Sequence, residues 1–270
     1  MFSSTAPPKI TIITVCRNCR DDIASTLDSV LGQDYADLEY IIADGLSTDG
    51  TVDVIKERAA QDERIRYISE ADDGIYDAMN KAARMATGDF LQFINVGDHL
   101  HSTDTLSAIV SAICSHDSDI YYGDSVFEEV LGGKKKTVVR RYPRYCSWGL
   151  YYCLGDCINH QAIIAARKCF GDRTFDTSFK VGADRDWMIR MKKMGMRWHS
   201  LGFPVVRYRI DEDSFSVKYQ DEFFREVDVQ TRRYFPVYGI LIGKTLEKIR
   251  SGKLSSKLLH TISNATIFKQ

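Results

Sequence analysis

Lys9–Cys16 reads KITIITVC, a continuous and largely β-branched run. A strand with one face in water alternates polar and apolar residues, so an unbroken run predicts a strand covered on both faces. The segments after it set the fold class. Ile23, Leu27, Val30 and Leu31 recur at helical spacing and Gly32 closes the element. LEYIIAD is a second strand ending at Asp44, GLSTDGT supplies turn and cap residues, and Val52 to Ala60 is a second helix. RIRYIS is strand three and Asp77 to Ala86 (DAMNKAARMA) helix three. Thr87-Gly88-Asp89 then turns into FLQFIN, which ends at Val96-Gly97-Asp98. Strand and helix thus alternate four times in about a hundred residues, predicting an α/β fold: a mostly parallel sheet with right-handed crossovers, flanked by helices. Ligands of such sheets sit beyond the carboxyl ends of the strands.

Downstream the rhythm loosens. We expect a helix from Leu106 to Cys114, a strand from Asp119 to Tyr122, a hairpin around Gly132-Gly133 and a Tyr/Trp-rich segment from Tyr142 to Tyr152. A helix from Asp184 to Met194 precedes the strand PVVRYRI, and beyond Tyr234 the chain is basic, with no acidic residue after Glu247. The organisation expected is one domain in two halves, 1–105 and 106–235, with an amphipathic basic tail at 236–270.

The 270 residues are 44% hydrophobic, enough for a sizeable core, and 36 Lys+Arg against 37 Asp+Glu leave a net charge of -1. No overall field would hold a polyanion, which argues against nucleic acid as a partner. Seven cysteines, an odd number, suit reduced thiols in a cytoplasmic protein. Cys16 and Cys19 form a C-x-x-C, whereas Cys153 and Cys157 have the wrong interval for a second pair; we expect small buried apolar residues. MFSSTAPPKI lacks a signal peptide's basic flank and apolar stretch, and no window approaches the length of a spanning helix.

Three acids fall where predicted strands stop: Asp44, Asp72 and Asp98. Aspartate also opens turns and caps helices, but three at one sheet edge favour a site that holds a cation or a polar ligand. The blocks TVCRN, YIIADGLSTDGT, SEADDGIYDAMNKAARMATGD, FINVGD and FKVGADRDWMIRM, in that order between about Lys9 and Ser216, resemble family 2 glycosyltransferases of the GT-A fold. The resemblance is nearest to members that build bacterial exopolysaccharide and lipopolysaccharide.

The resemblance implies an inverting transferase. It would move a sugar from a nucleotide-sugar, UDP-linked as the first expectation, to a hydroxyl of a saccharide or lipid-linked acceptor. The first half would bind the nucleotide-sugar and the second the acceptor. Thr14 and Arg17 would stand at the nucleotide edge, Asp44 would accept from the base, Asp72 would lie near base and ribose, and Asp77 with Asn80 would begin the bordering helix. The family's acidic metal motif is thinned here to Asn95-Val96-Gly97-Asp98, leaving Asp98 as carboxylate for Mg²⁺ or Mn²⁺. Asp184 aligns with the catalytic base; Asp186, about 200° round the helix, cannot face the same hydroxyl. On spacing alone both are equally well first-turn acids favoured by the helix dipole. His160 and Gln161 match an acceptor-side segment, where His160 is either functional or structural. Trp148 and Trp187 suit a sugar platform or a core, and Arg207 and Arg209 a diphosphate contact or a solvated strand face.

A sugar-nucleotide nucleotidyltransferase or a dinucleotide oxidoreductase would carry a glycine-rich loop after strand one, and VCRNCRDD has no glycine. A non-catalytic saccharide-binding protein of the same fold is the third alternative. Lys244, Lys248, Arg250, Lys253, Lys257 and Lys269 among apolar residues fit either peripheral docking on an anionic inner membrane leaflet or a helix packed on the domain.

Overall fold

The computed structural model describes residues 7–131, 134–142, 157–171, 174–210 and 218–236. The basic tail, Trp148, Cys153, Gly132 and Gly133 lie outside the described residues.

Strands β1 (Ile10–Cys16), β2 (Leu38–Asp44), β3 (Ile65–Ser69) and β4 (Phe90–Phe93) run parallel in the order β3-β2-β1-β4. Their crossovers are α1 (Arg20–Leu31), α2 (Thr51–Gln61) and α3 (Ile75–Met85). All of β2, and all of β1 except its last residue, are buried, which is why neither sequence alternates. Helix α3 starts two residues before the sequence reading. Gly74, at φ 108, precedes it, and Tyr76, Met79, Ala82 and Ala83 on one stripe pack against the sheet.

The remaining elements extend this half-sheet with mixed strands. They are β5 (His99–Leu100), α4 (Thr105–Ser115), β6 (Ile120–Leu131), β7 (Lys134–Arg140), β8 (Ile163–Ala166), α5 (Ala183–Lys193), β9 (Trp198–Ile210) and α6 (Gln220–Tyr234). Antiparallel β8 bridges β4 to β6, β9 lies parallel to β6, and β5 closes the edge against β9. One nine-stranded sheet therefore runs through both halves of the chain. Strands β6 and β7 pair antiparallel from Ser125↔Arg140 to Leu131↔Lys134, on either side of the two glycines where a hairpin was expected. Register shifts between Tyr122 and Ser125 bend β6 along β9. Strands β5 and β8 and helix α6 have no counterpart in the sequence reading.

Candidate active site

The turn after β4 carries Asp98. Gly97 within it adopts φ 87, a left-handed conformation that a side chain would resist. Thr26 of α1 clamps the turn from behind: its hydroxyl accepts the Gly97 N–H at 2.9 Å and donates to the Asp98 carbonyl at 3.2 Å. The Asp98 carboxylate is only 3% exposed and has two donors, the Arg209 backbone N–H (3.0 Å) and Gln161 Nε2 (2.7 Å). Burial pushes its pKa up to about 7, because those two donors only partly replace lost hydration.

Gln161 follows His160, and the two residues join the carboxylates named by the sequence. His160 Nδ1 stands 2.9 Å from Asp184 Oδ2, while its Nε2 is 3.4 Å from Asn95 Nδ2. Asp184 opens α5 and also receives its neighbour's backbone, Arg185 N–H, at 2.7 Å. Tyr76 of α3 points its hydroxyl at the Val181 carbonyl and lies 3.2 Å from Asp184 Oδ1. Asp98, Gln161, His160 and Asp184 thus form one connected array, and the last three border a cavity of about 350 Å³. Tyr142, Tyr208, Phe223 and Phe224 supply part of its aromatic wall.

Helix α6 holds the loop before α5 in place. Glu226 accepts the backbone N–H groups of Lys180 (2.6 Å), Val181 (3.1 Å) and Gly182 (2.7 Å), the residues leading into α5. Gln230 donates to the Gly182 carbonyl at 2.8 Å and accepts from the Arg185 guanidinium. A Cβ on Gly182 would come within 3.2 Å of both side chains and push them back by a few tenths of an ångström. Asp186 faces away from the cavity and is 1% exposed, bonded to Arg190 Nε at 2.7 Å and Tyr234 Oη at 2.6 Å.

At the ends of β1 to β3, Asp44 is 2% exposed and its oxygens accept from Ser47 N–H, the Ser47 and Ser69 hydroxyls and the Cys16 thiol. It organises the loop after β2. Asp72 packs on that loop: a Cβ on Gly45 would fall 2.3 Å from Asp72 Oδ2 and 3.5 Å from Arg17 Cδ. Asp72 Oδ1 accepts the Gly74 N–H at 2.9 Å, steering the chain into α3. Asp77 pairs with Lys81 at 3.0 Å.

Several sequence assignments need correction. Thr14 is fully buried, its hydroxyl bonded to Tyr40 Oη and the Ile94 carbonyl, so it ties strands together beneath the edge. Trp187 is 3% exposed; its Nε1 donates to the Cys169 carbonyl and its ring stacks on Phe170 at 5.2 Å, which makes it core and removes it from the acceptor side. Asn80 is spent on Phe175, bonding both its backbone N–H and its carbonyl. Arg207 and Arg209 pair with Glu128 and Asp22 on an exposed face, the solvated-strand alternative of the sequence reading. Sequence reasoning missed Tyr76, Glu226 and Gln230, and named Asn95 only as part of the thinned motif. Phe223, Val227, Gln230 and Thr231 recur at helical intervals in QDEFFREVDVQTRRY, the signal that would have found α6 and with it Glu226.

A divalent cation can be tested against these groups. Among the described residues no three His, Cys, Asp or Glu side chains converge. Asp98 is nonetheless a desolvated carboxylate short of positive charge, and beside it Gln161 Oε1 is buried with no partner among the described residues. Two oxygens suit a hard cation whose other ligands are phosphate and water.

Comparison with known proteins identifies the family. The family model described as Glycosyl transferase family 2 matches residues 11–167, over half the chain. A PGL/p-HBAD biosynthesis glycosyltransferase of Mycobacterium bovis is 33% identical over 193 residues, 68% of this chain and 70% of its own. Among solved structures, Staphylococcus aureus TarS 1–349 with UDP-GlcNAc superposes with TM-score 0.66 at 18% identity, covering 84% of this chain and 67% of that one. The mannosyltransferase PcManGT of Pyrobaculum calidifontis, with GDP-Man and Mn2+, gives TM-score 0.60 at 18% identity over 98% of this chain and 82% of its own. The chain belongs to the family 2 glycosyltransferases and has the GT-A fold.

Proposed function

We propose that this enzyme transfers a sugar, with inversion, from a UDP-sugar to a hydroxyl of a saccharide or lipid-linked acceptor in cell-surface polysaccharide synthesis. The observation that supports the reading is the array Asp98–Gln161/His160–Asp184, in which buried Asp98 is tied through Gln161 and His160 to Asp184 at the cavity wall. The relatives support the substrates: the mycobacterial protein serves PGL/p-HBAD biosynthesis, the TarS structure holds UDP-GlcNAc, and PcManGT holds GDP-Man with Mn2+.

In this reading Asp184 accepts the acceptor hydroxyl's proton as its oxygen attacks the anomeric carbon opposite the leaving diphosphate. Because a carboxylate oxygen only accepts, His160 holds its proton on Nδ1 and donates to Asp184 Oδ2, fixing the carboxylate's direction. Tyr76 and Glu226 hold the loop before α5, so the base is positioned before substrate arrives. The aromatic wall excludes water that would otherwise compete as acceptor. Arg17 and Asp72 border the uridine and ribose. Mg²⁺ or Mn²⁺ at Asp98 and Gln161 would neutralise charge on the departing diphosphate.

Purified full-length protein, incubated with Mg²⁺ or Mn²⁺ and a panel of nucleotide-sugars, is expected to release nucleoside diphosphate, slowly without acceptor and faster with a cell-surface glycan precursor. Saccharide binding without either release would instead identify a binding module. No described helix is long and apolar enough to cross a membrane. We place the enzyme at the cytoplasmic face of the inner membrane, held by the basic tail; equal liposome flotation of full-length and tail-truncated chains would reject that docking.

A further inference from the structure

The C-x-x-C at the end of β1 takes no part in the mechanism above. Its two thiols are partly exposed, against the expectation of buried apolar residues. Cys16 ends β1, Cys19 is the N-cap of α1, and Asn18 between them turns the chain at φ 50. The turn places Cys19 at the head of α1 three residues after Cys16, and each thiol is the other's largest electrostatic neighbour. Cys16 Sγ also lies 3.7 Å from Asp44 Oδ1.

We propose that Cys16 and Cys19 are a thiol modification site, a dithiol that closes to a disulfide by exchange with a low-molecular-weight disulfide, with Cys19 attacking first. Cys19 sits at the positive end of α1, and its side chain makes no capping bond. Its neighbour Cys16 foremost lowers its pKa, while Cys19, then burial, raises that of Cys16. The Cys19 thiolate attacks one sulfur of the small disulfide, forming an S–S bond and expelling one small thiolate. Cys16 then loses its proton to water, its sulfur attacks Cys19 Sγ, and the second small thiolate leaves. The protein dithiol is oxidised by two electrons, and one small disulfide is reduced to two thiols.

Closure reaches the strand-end loop. Asp44 loses its thiol donor. Asn18, inside the new ring, accepts the Thr48 N–H at 2.9 Å and donates its own N–H to Ser47 Oγ at 2.7 Å, so the loop beside Gly45 and Asp72 shifts with it. On the reading that this edge binds the nucleotide, the disulfide weakens UDP binding about tenfold, the scale of one or two lost hydrogen bonds.

The test treats the full chain with oxidised glutathione, alkylates it and digests it with trypsin. Cleavage after Arg17 and Arg20 separates ITIITVCR from NCR, so the peptides stay joined only through Cys16–Cys19, and dithiothreitol should release them. Cys16→Ser should accumulate glutathione on Cys19, while Cys19→Ser should leave Cys16 unmodified. Peptides recovered apart, cysteines joined to Cys114 instead, or the reverse pattern in the two variants would overturn the proposal. UDP titration of the oxidised and reduced forms should show the loss of affinity, and equal affinities would reject the coupling. The peptide result needs no nucleotide, so a reduced chain that ignores UDP refutes the nucleotide reading of this edge, and the peptides still decide the thiol pair.

Discussion

Replacing Asp98 by Asn should make the metal-free protein more stable at neutral pH while abolishing its response to metal. Burial raises the folded pKa from the ordinary 3.8 to about 7. The unfolded chain therefore loses the proton first as pH rises, and between about pH 4 and pH 7 the folded state binds more protons. Over that window stability must fall by about 1.4 kcal/mol for each pH unit, roughly 4 kcal/mol in all, and stay flat above it. The substitution removes the charge at nearly constant shape. The introduced amide's oxygen can still accept the Arg209 N–H, and Gln161, whose Oε1 is unpartnered, can flip to accept from the introduced NH₂. At pH 8 in EDTA the variant should melt on the order of 10 °C higher than wild type, and at pH 4 the two should coincide. Mn²⁺ with UDP should raise the wild-type melting temperature and leave the variant unmoved. A gap between the proteins that does not widen from pH 4 to pH 7, or a metal response retained by the variant, would refute the assignment of Asp98.

Three further substitutions separate chemistry from scaffolding. Asp184→Asn should lower kcat for transfer by about a hundred- to ten-thousandfold, the range of a general base, with UDP affinity unchanged in calorimetry. Glu226→Ala strands three backbone N–H groups, two of them buried, and should cost about 3–5 kcal/mol in urea unfolding, lowering kcat as well because the loop carrying Asp184 is released. Asn80→Ala unpairs both backbone groups of Phe175 and should cost about 2–3 kcal/mol with no change in donor KM.

The first half of the fold was legible because KITIITVC, LEYIIAD and their crossover helices each declare themselves locally. The second half was not, because its information is distributed. Ile163–Ala166 is four residues long, too short for a period, and becomes a strand only because β4 and β6 offer edges on both sides. Helix α6 has few strongly apolar buried positions, since its inner face is spent on Glu226 and Gln230. Trp187 misled for a geometric reason. Three residues past Asp184 it lies on nearly the same side of α5, but one turn deeper, where Phe170 and Cys169 cover it. Thr14 misled because a hydroxyl at a strand end looks available until the partners that consume it are placed, and both lie far off in the chain.

The same accounting of partners sorts the carboxylates. Asp44 collects four donors, Glu226 three backbone N–H groups, and Asp186 a guanidinium and a phenol, so each is satisfied by its own fold and serves as a fixed point. Asp184 has donors too, but it keeps 14% of its side chain open toward the cavity, where an incoming hydroxyl can reach it. Asp98 is the opposite case: it is as buried as Asp44, yet two donors leave its charge undercompensated. A fold that spends an α1 hydroxyl and a left-handed glycine on holding such a group has fixed an unfavourable charge in place, and a cation brought in with a diphosphate relieves that cost. On the proposed reading, metal and donor should bind more tightly together than either does alone, and calorimetry that finds the two affinities independent would refute it.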